Sequence, residues 1–160
     1  VLFYLVIYCV MNLGAFWIAS LVEDTYGGDY LRHFRGLGTR RPFHAFAMAV
    51  FMFSLVGLPP FAGFIGKLYL FSAIIAREMY GFAILAAINS VISLGFYIRV
   101  IKAMYLDAPE VEDVKSNTVF DSKLIVGLLS VLVVPNILLG LYWEPVMRLA
   151  QGALRFFAGS

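Results

Sequence analysis

A single lysine inside an apolar stretch is the residue of this sequence best suited to chemistry. Lys67 directly follows the ten residues Gly57–Gly66, which interrupt an otherwise hydrophobic segment. A lysine near the centre of a bilayer costs about 2.5–3.5 kcal/mol even on a lenient insertion scale, so its presence there indicates a function. An amine in such a place can take up and release a proton as its neighbours move. A static ion pair with another buried charge is the alternative interpretation.

The segment that carries this lysine is predicted to be a broken helix. The apolar run at about 43–78 is too long for one straight crossing, since about 20 residues suffice. Adjacent prolines remove two backbone donors, and glycines accept irregular dihedrals. We therefore expect two half-helices that cross the membrane once together, with the break at depth beside protein or a hydrated cavity. The residues assigned to the break are Gly57, Pro59, Pro60, Gly63 and Gly66.

Composition indicates an integral membrane protein of the all-α class. Hydrophobic residues make up 62% of the 160 residues and charged residues 14%, whereas a soluble domain has about 25% charged residues. The long apolar segments lack the alternation of barrel strands, and helices satisfy the backbone within lipid.

Four spans are predicted, the second discontinuous, at about 1–22, 43–78, 82–105 and 122–143. Residues after 144 have the spacing of a short surface helix, and Pro135-Asn136 predicts a kink in the fourth span.

Charge and cysteine content exclude several classes of function. A net charge of +2 is too small and too scattered for nucleic-acid binding. The single cysteine, Cys9, cannot form an internal disulfide, and no Cys/His cluster has metal-ligand spacing. No pattern for a nicotinamide, flavin, haem or iron–sulfur site is visible.

Because the chain opens at Val1 inside an apolar run, without a preceding basic segment, we expect it to be the back end of a longer membrane protein.

The distribution of basic residues predicts the orientation in the membrane. Basic residues collect on the cytoplasmic side of a membrane protein. The loops at about 23–42 and 106–121 and the helix ends beside them hold more of them than the opposite side does, so both loops are predicted to be cytoplasmic and the C-terminus outside. The cytoplasmic set is Arg32, Arg35, Arg40, Arg41, Arg99, Lys102, Lys115 and Lys123, against Arg77, Arg148 and Arg155.

Polar residues on neighbouring spans are candidates for a proton pathway. Asn89 and Ser93 are four residues apart and share one face of the third span. Tyr8 and Asn12 continue a polar stripe that begins at Tyr4 in the first span. The simpler interpretation of both groups is packing and interhelical hydrogen bonding, worth about 0.6 kcal/mol per bond.

Charged and titratable residues at the cytoplasmic boundary form a second group of pathway candidates. Arg99 and Lys102 could load protons from the cytoplasm, although anchoring at the interface is the simpler role. His44 and His33 lie in or beside the basic loop, and histidine titrates in a range suited to proton uptake. Ordinary solvated histidines are the alternative. Glu23 is interpreted as a boundary carboxylate at the end of the first span.

Longer motifs in the sequence resemble one family. The segments Tyr8–Phe16 (YCVMNLGAF), Ser54–Tyr69 (SLVGLPPFAGFIGKLY) and Phe96–Val100, with Phe34–Gly38 and the Arg-Arg-Pro at 40–42, look like the C-terminal third of the antiporter-like membrane subunits of bacterial NADH–quinone oxidoreductase, respiratory complex I. The Gly-Phe-Ile-Gly-Lys-Leu-Tyr form is most similar to subunit N, because M-type subunits have a glutamate in place of the lysine. The resemblance covers essentially the whole chain and weakens after about residue 115.

This resemblance implies a fold and a function. The family has fourteen transmembrane helices in two inverted five-helix repeats, each with a discontinuous helix, and this chain would supply the last four. Lys67 matches the terminal channel lysine. The implied partners are other membrane subunits of the complex, the missing N-terminal helices of the same chain and the lipid of the cell inner membrane. The chain would act as a subunit of a proton-pumping translocase without redox chemistry of its own, while NADH, FMN, iron–sulfur clusters and quinone would bind to partner subunits.

Two other functions remain open at this point. A subunit of a multisubunit cation/proton antiporter or of a membrane hydrogenase would share the same ancestry. Hydrophilic subunits with iron–sulfur motifs encoded nearby would indicate a redox complex, and their absence would indicate an antiporter. A structural helix bundle without a transport role is the second alternative, and replacement of Lys67 would test it.

Overall fold

A computed structural model of the protein describes residues 2–28, 30–110 and 122–142, and the regular structure in these ranges is helical. The elements are α1 (Leu2–Tyr26), α2 (Leu31–Phe34), α3 (Leu37–Arg40), α4 (Pro42–Val56), α5 (Ala62–Ile75), α6 (Tyr80–Tyr105) and α7 (Lys123–Leu141). Within the described ranges, α1, α6 and α7 are each long and apolar enough to cross a membrane. The prediction of an all-helical membrane protein is therefore confirmed.

The number of spans depends on α4 and α5. These helices have 15 and 14 residues, or about 22 and 21 Å at 1.5 Å per residue. Each is shorter than the roughly 30 Å of hydrocarbon, so neither helix alone has the length of a span. The count of four spans requires that the two helices make one crossing together, and it stays a prediction. The predicted surface helix after residue 144 lies outside the described residues.

The predicted break in the second apolar segment is present. Gly57 ends α4 with a φ of +86°, and the amide of Leu58 donates to the carbonyl of Phe53, which is the hydrogen bond of a Schellman turn. Pro59 and Pro60 follow and supply no amide donors. Helix α5 then begins at Ala62.

The predicted C-terminal limit of the break was wrong, since Gly63 and Gly66 lie inside α5. Their backbone is helical, so they are not needed for irregular dihedrals. A Cβ atom on Gly63 would collide with the carbonyl of Ser54, and one on Gly66 would lie 2.7 Å from the ring of Tyr4. Both glycines therefore allow close helix packing.

Small residues also bring the other helices together. Gly14 in α1 faces the ring of Phe51 from α4, and a Cβ atom there would collide with that ring. Gly140 in α7 faces the backbone of Pro60 and Phe61 in the break. Such close approaches are typical of membrane helix pairs, whose association depends on packing. Helices α1 and α7 thus pack against α4 and α5 on either side of the break, while Leu58, Pro59 and Pro60 within it stay exposed.

The predicted loop at 23–42 is partly helical. Helix α1 continues past Glu23 to Tyr26, and α2 and α3 follow before α4. This connection docks on the end of α6, where the guanidinium of Arg35 pairs with Glu110 and lies 3.7 Å from Asp107. The amide of Gly36 donates to the carbonyl of Ala103 over 3.1 Å. Opposite charges on the two predicted cytoplasmic segments therefore fasten them together.

Candidate functional site

Lys67 lies in the second turn of α5, at the mouth of the helix break. Its side chain is half-buried, and its Nζ atom donates to the carbonyl oxygen of Val56 over 2.8 Å. The hydroxyl oxygen of Ser90, in α6, lies 3.4 Å from the same Nζ atom. The sequence placed Lys67 directly after the break, whereas α5 begins five residues before it, at Ala62.

The Val56 carbonyl is available because the break removes its helical partner. The last carbonyls of a helix have no intrahelical donor, and a positive charge near a helix C-terminus is stabilised. Gly57 leaves room for this contact, since a Cβ atom there would lie 2.8 Å from Cδ of Lys67. The hydrogen bonds of Lys67 within the described part of the chain are to uncharged oxygens, those of the Val56 carbonyl and the Ser90 hydroxyl.

Ser90 is the residue of α6 that contacts Lys67. Its hydroxyl donates to the carbonyl of Ala86 over 2.9 Å, which leaves an oxygen lone pair for the amine. Within the described part of the chain no hydrogen bond joins Asn89 or Ser93 to Lys67: Asn89 is exposed, and the Ser93 hydroxyl donates to the Asn89 carbonyl over 2.8 Å. A role for these two in a proton pathway stays a prediction.

The polar stripe of α1 reaches α5 through its first member. Tyr4 packs on Gly66, next to Lys67 in sequence, and its ring centroid lies 5.9 Å from that of Tyr8. Tyr8 is exposed, and the amide of Asn12 donates to the Tyr8 carbonyl within the same helix. In the part of the chain that the structure describes, neither Tyr8 nor Asn12 forms a hydrogen bond with the amine, and their pathway role also stays a prediction.

A second polar group at the break was missed from the sequence. The hydroxyl of Ser54 donates to Oδ1 of Asn136, in α7, over 2.7 Å, and the amide of Gly63 donates to the same hydroxyl over 2.9 Å. We interpreted Asn136 only as part of a kink. An amide side chain in the middle of an apolar helix was the available signal, since such groups usually find a partner on another helix.

The boundary candidates lie away from Lys67. Arg99 is exposed, with its guanidinium 5.8 Å from the ring centroid of Phe96. Lys102 is exposed and lines a groove of about 480 Å³, together with mostly apolar residues of α4, α6 and the segments that directly follow these two helices. His44 and His33 are each 4% exposed, so the alternative of solvated histidines was wrong. His44 lies in the first turn of α4, whereas His33 lies in α2, which packs against α1 and α6.

Cofactor ligands were not expected in this chain. In residues 2–28, 30–110 and 122–142, no three His, Cys, Asp or Glu side chains come together in a way that could hold a metal ion. The assignment of quinone, NADH, FMN and iron–sulfur clusters to partner subunits stays a prediction.

Known proteins resemble this chain in sequence. Residues 1–93 match the sequence model of the family described as "NADH:quinone oxidoreductase/Mrp antiporter, TM". NADH-quinone oxidoreductase subunit N 2 of Sorangium cellulosum is 47% identical over 148 residues, which cover 90% of this chain and 28% of that protein. Subunit N of Anaeromyxobacter is 39% identical over 167 residues, covering 99% of this chain and 32% of that protein. The chain thus spans about a third of the length of these relatives.

The fold has a counterpart in a solved structure. A chain of respiratory complex I from Thermus thermophilus with bound aureothin superposes with a TM-score of 0.74 and 26% sequence identity. The match covers 91% of this chain and 34% of the other. The arrangement of helices around the break therefore occurs in a membrane-embedded respiratory complex.

Proposed function

Because the chain belongs to the NADH:quinone oxidoreductase/Mrp antiporter transmembrane family, we propose that it forms about a third of subunit N of a proton-pumping NADH–quinone oxidoreductase. In this proposal Lys67 accepts a proton from one side of the membrane and passes it towards the other. The observation that carries the proposal is the contact of its Nζ atom with the Val56 carbonyl, across a gap between two half-helices. Quinone reduction in partner subunits supplies the driving force.

The charge state of Lys67 depends on the groups that surround its amine. Contact with a free carbonyl at the end of α4 favours the protonated amine, and Ser90 adds a second acceptor. Away from these oxygens the ammonium would face apolar side chains, where a charge is costly. A small change in the separation of α4 and α5 therefore alters the balance between the charged and neutral amine. Such a group can load and release a proton once per conformational cycle.

The same proposal assigns an orientation. Helices α4 and α5 form one crossing, so the connection from α1 to α4 and the turn between α5 and α6 lie on opposite sides of the membrane. The basic residues of the first connection make it the cytoplasmic one, and the turn faces the outside. The C-terminus then lies on the outer side of the membrane. The membrane itself is the inner membrane of a bacterial cell. The partners are the remaining helices of the same subunit, other membrane subunits of the complex and the surrounding lipid.

A cation/proton antiporter subunit is the second candidate, because the family description itself includes Mrp antiporters. The names of the relatives favour the oxidoreductase, since both proteins compared above are subunits N. Purification of the full-length protein distinguishes the two: iron–sulfur subunits should copurify with an oxidoreductase subunit and be absent from an antiporter. The third candidate, a structural bundle, predicts that Lys67 is dispensable.

Replacement of Lys67 in the full-length subunit, within the assembled complex, tests the proposal. We expect Lys67→Met to lower NADH-driven proton uptake into inverted membrane vesicles about tenfold or more, as for the loss of a proton-transfer group. Arg77→Met is the matched control, because this cation is exposed ten residues along the chain. Normal proton uptake by Lys67→Met at normal assembly would refute the proposal and support the structural bundle.

A further inference from the structure

A buried hydrogen-bonded bridge connects α7 to both sides of the helix break. Ser54 is fully buried and Asn136 is 2% exposed. The Ser54 hydroxyl donates to Oδ1 of Asn136 over 2.7 Å and accepts from the Gly63 amide over 2.9 Å. Three helices therefore meet at one oxygen atom, with α4, α5 and α7 each contributing one group.

The position of Ser54 explains how one hydroxyl can fix the break. It lies in the last turn of α4, two residues before Val56, and its partner Gly63 is the second residue of α5. The first amides of a helix have no intrahelical acceptor, and Ser54 supplies that acceptor from the other half-helix. The bridge thus joins the two half-helices by a direct hydrogen bond, in addition to their covalent connection through the irregular segment 57–61.

The amine of Lys67 depends on the same two helix ends. Lys67 is four residues after Gly63, so the two lie on one face of α5 one turn apart. Its acceptor, Val56, shares the last turn of α4 with Ser54. A change in the separation or rotation of these two turns would alter the Nζ–carbonyl distance, which is 2.8 Å in this arrangement.

Helix α7 contacts the break at two points. Asn136 forms the bridge, and one turn later Gly140 lies against the backbone of Pro60 and Phe61. The Nδ2 atom of Asn136 is buried and makes no hydrogen bond within the described part of the chain. An unpaired buried amide is costly for stability, and an apolar residue of similar shape would be better for packing alone. What Asn136 supplies and an apolar residue of similar shape could not is the hydrogen bond of its Oδ1 atom with Ser54.

We propose that Asn136 and Ser54 are positioning residues for Lys67, through which α7 sets the separation of the two half-helices and hence the contact of the amine with Val56. The inference rests on the proposed function, since it assigns a role in proton transfer through Lys67. Neither residue exchanges a proton with the amine. Movement of α7 relative to α4 would change the bridge and so the site of the lysine.

The test uses the full-length subunit in the assembled complex, with Asn136→Leu, Ser54→Ala and the double variant. We expect each single variant to lower NADH-driven proton uptake by about two- to thirtyfold, the range for residues that modulate coupling between sites. The double variant should be no worse than the more severe single variant, because both changes remove one bridge. Ser130→Ala is the matched control, since that hydroxyl, also in α7, donates only to the Val126 carbonyl of its own helix.

Two further readouts separate positioning from general stability. Hydrogen exchange of the segment 61–67 should become faster in both single variants. In Ser54→Ala the Gly63 amide loses its acceptor, and in Asn136→Leu the Ser54 hydroxyl loses the hydrogen bond that orients it towards this amide. The pH profile of proton uptake should shift, since the surroundings of the amine have changed, whereas a general loss of stability would lower the rate equally at all pH values. If Asn136→Leu does not assemble, Ser54→Ala decides the matter, because it removes a single oxygen atom.

The outcomes distinguish this inference from the proposed function. Inactive Lys67→Met together with normal proton uptake by Asn136→Leu and Ser54→Ala would overturn the inference alone. Fully additive effects of the two variants, an unchanged pH profile, or an equal loss in Ser130→Ala would also overturn it. Normal uptake by Lys67→Met would instead refute the proposed function.

Discussion

The Nζ atom of Lys67 lies 2.8 Å from the carbonyl oxygen of Val56, the last residue of α4. These residues belong to different helices and are brought together by the sharp break at 57–61. A cation in the second turn of one helix thereby stabilises the free C-terminal carbonyl of another. This relationship ties the protonation of the amine to the geometry of the broken helix.

The hydroxyl of Ser90 is expected to contribute to the site, because it is the side-chain oxygen that accepts from Lys67 Nζ, over 3.4 Å. Ser90→Ala should lower NADH-driven proton uptake about twofold to tenfold, the loss expected from a hydrogen bond to a charged group at this long distance. Ser93→Ala is the comparison, since its hydroxyl donates to its own helix at Asn89. An equal or larger loss of proton uptake in Ser93→Ala would contradict the prediction, because the contact with Ser90 would then not be what sets the contribution of α6.

Substitution of Gly57 should disturb the site as well as the fold. Its φ of +86° costs a residue with a Cβ atom about 1–2 kcal/mol, and the new methyl group would lie 2.8 Å from Cδ of Lys67. Gly57→Ala should therefore lower both the midpoint temperature of unfolding and proton uptake. Gly127→Ala is the control, because no atom lies within 4 Å of its Cβ position and alanine favours a helix. An unaffected Gly57→Ala variant would contradict the geometry of this turn.

The single crossing made by α4 and α5 can be tested by cysteine labelling. In a background of the full-length protein from which every cysteine is removed, Cys9→Ser included, Tyr30→Cys and Met79→Cys place thiols before α4 and after α5, at exposed positions. One crossing predicts that a membrane-impermeant thiol reagent labels Met79→Cys from the periplasmic side and Tyr30→Cys from the cytoplasmic side. Labelling of both positions from the same side would mean that each half-helix crosses separately, and the break would then not lie at depth.

The break itself was predictable because its chemistry is local. Two adjacent prolines and a glycine at the end of an apolar run interrupt a helix in nearly any surroundings. Gly63 and Gly66 were assigned to the break for the same local reason. Their role is instead to admit Ser54 and Tyr4 at close range, which depends on how the helices pack.

The contacts of the site depended on pairings distant in sequence. Ser54 and Asn136 are 82 residues apart, and no periodicity within one helix shows which polar residue of another will face it. The same limit explains why Asn89 and Ser93 were candidates on α6 through their shared face, whereas the hydrogen bond of Lys67 on that helix is with Ser90. A polar residue within an apolar helix indicates a partner, but the identity of that partner requires the tertiary arrangement.

Proton uptake by a Lys67→Arg variant tests the central claim most directly. Arginine keeps a positive charge near the Val56 carbonyl but does not release its proton in proteins. If Lys67 carries protons, Lys67→Arg should lose NADH-driven proton uptake as severely as Lys67→Met, in complexes that assemble normally. If a fixed charge is all that the position needs, Lys67→Arg will take up protons at the rate of the unmodified complex, and that result would contradict a proton-carrying role for this lysine.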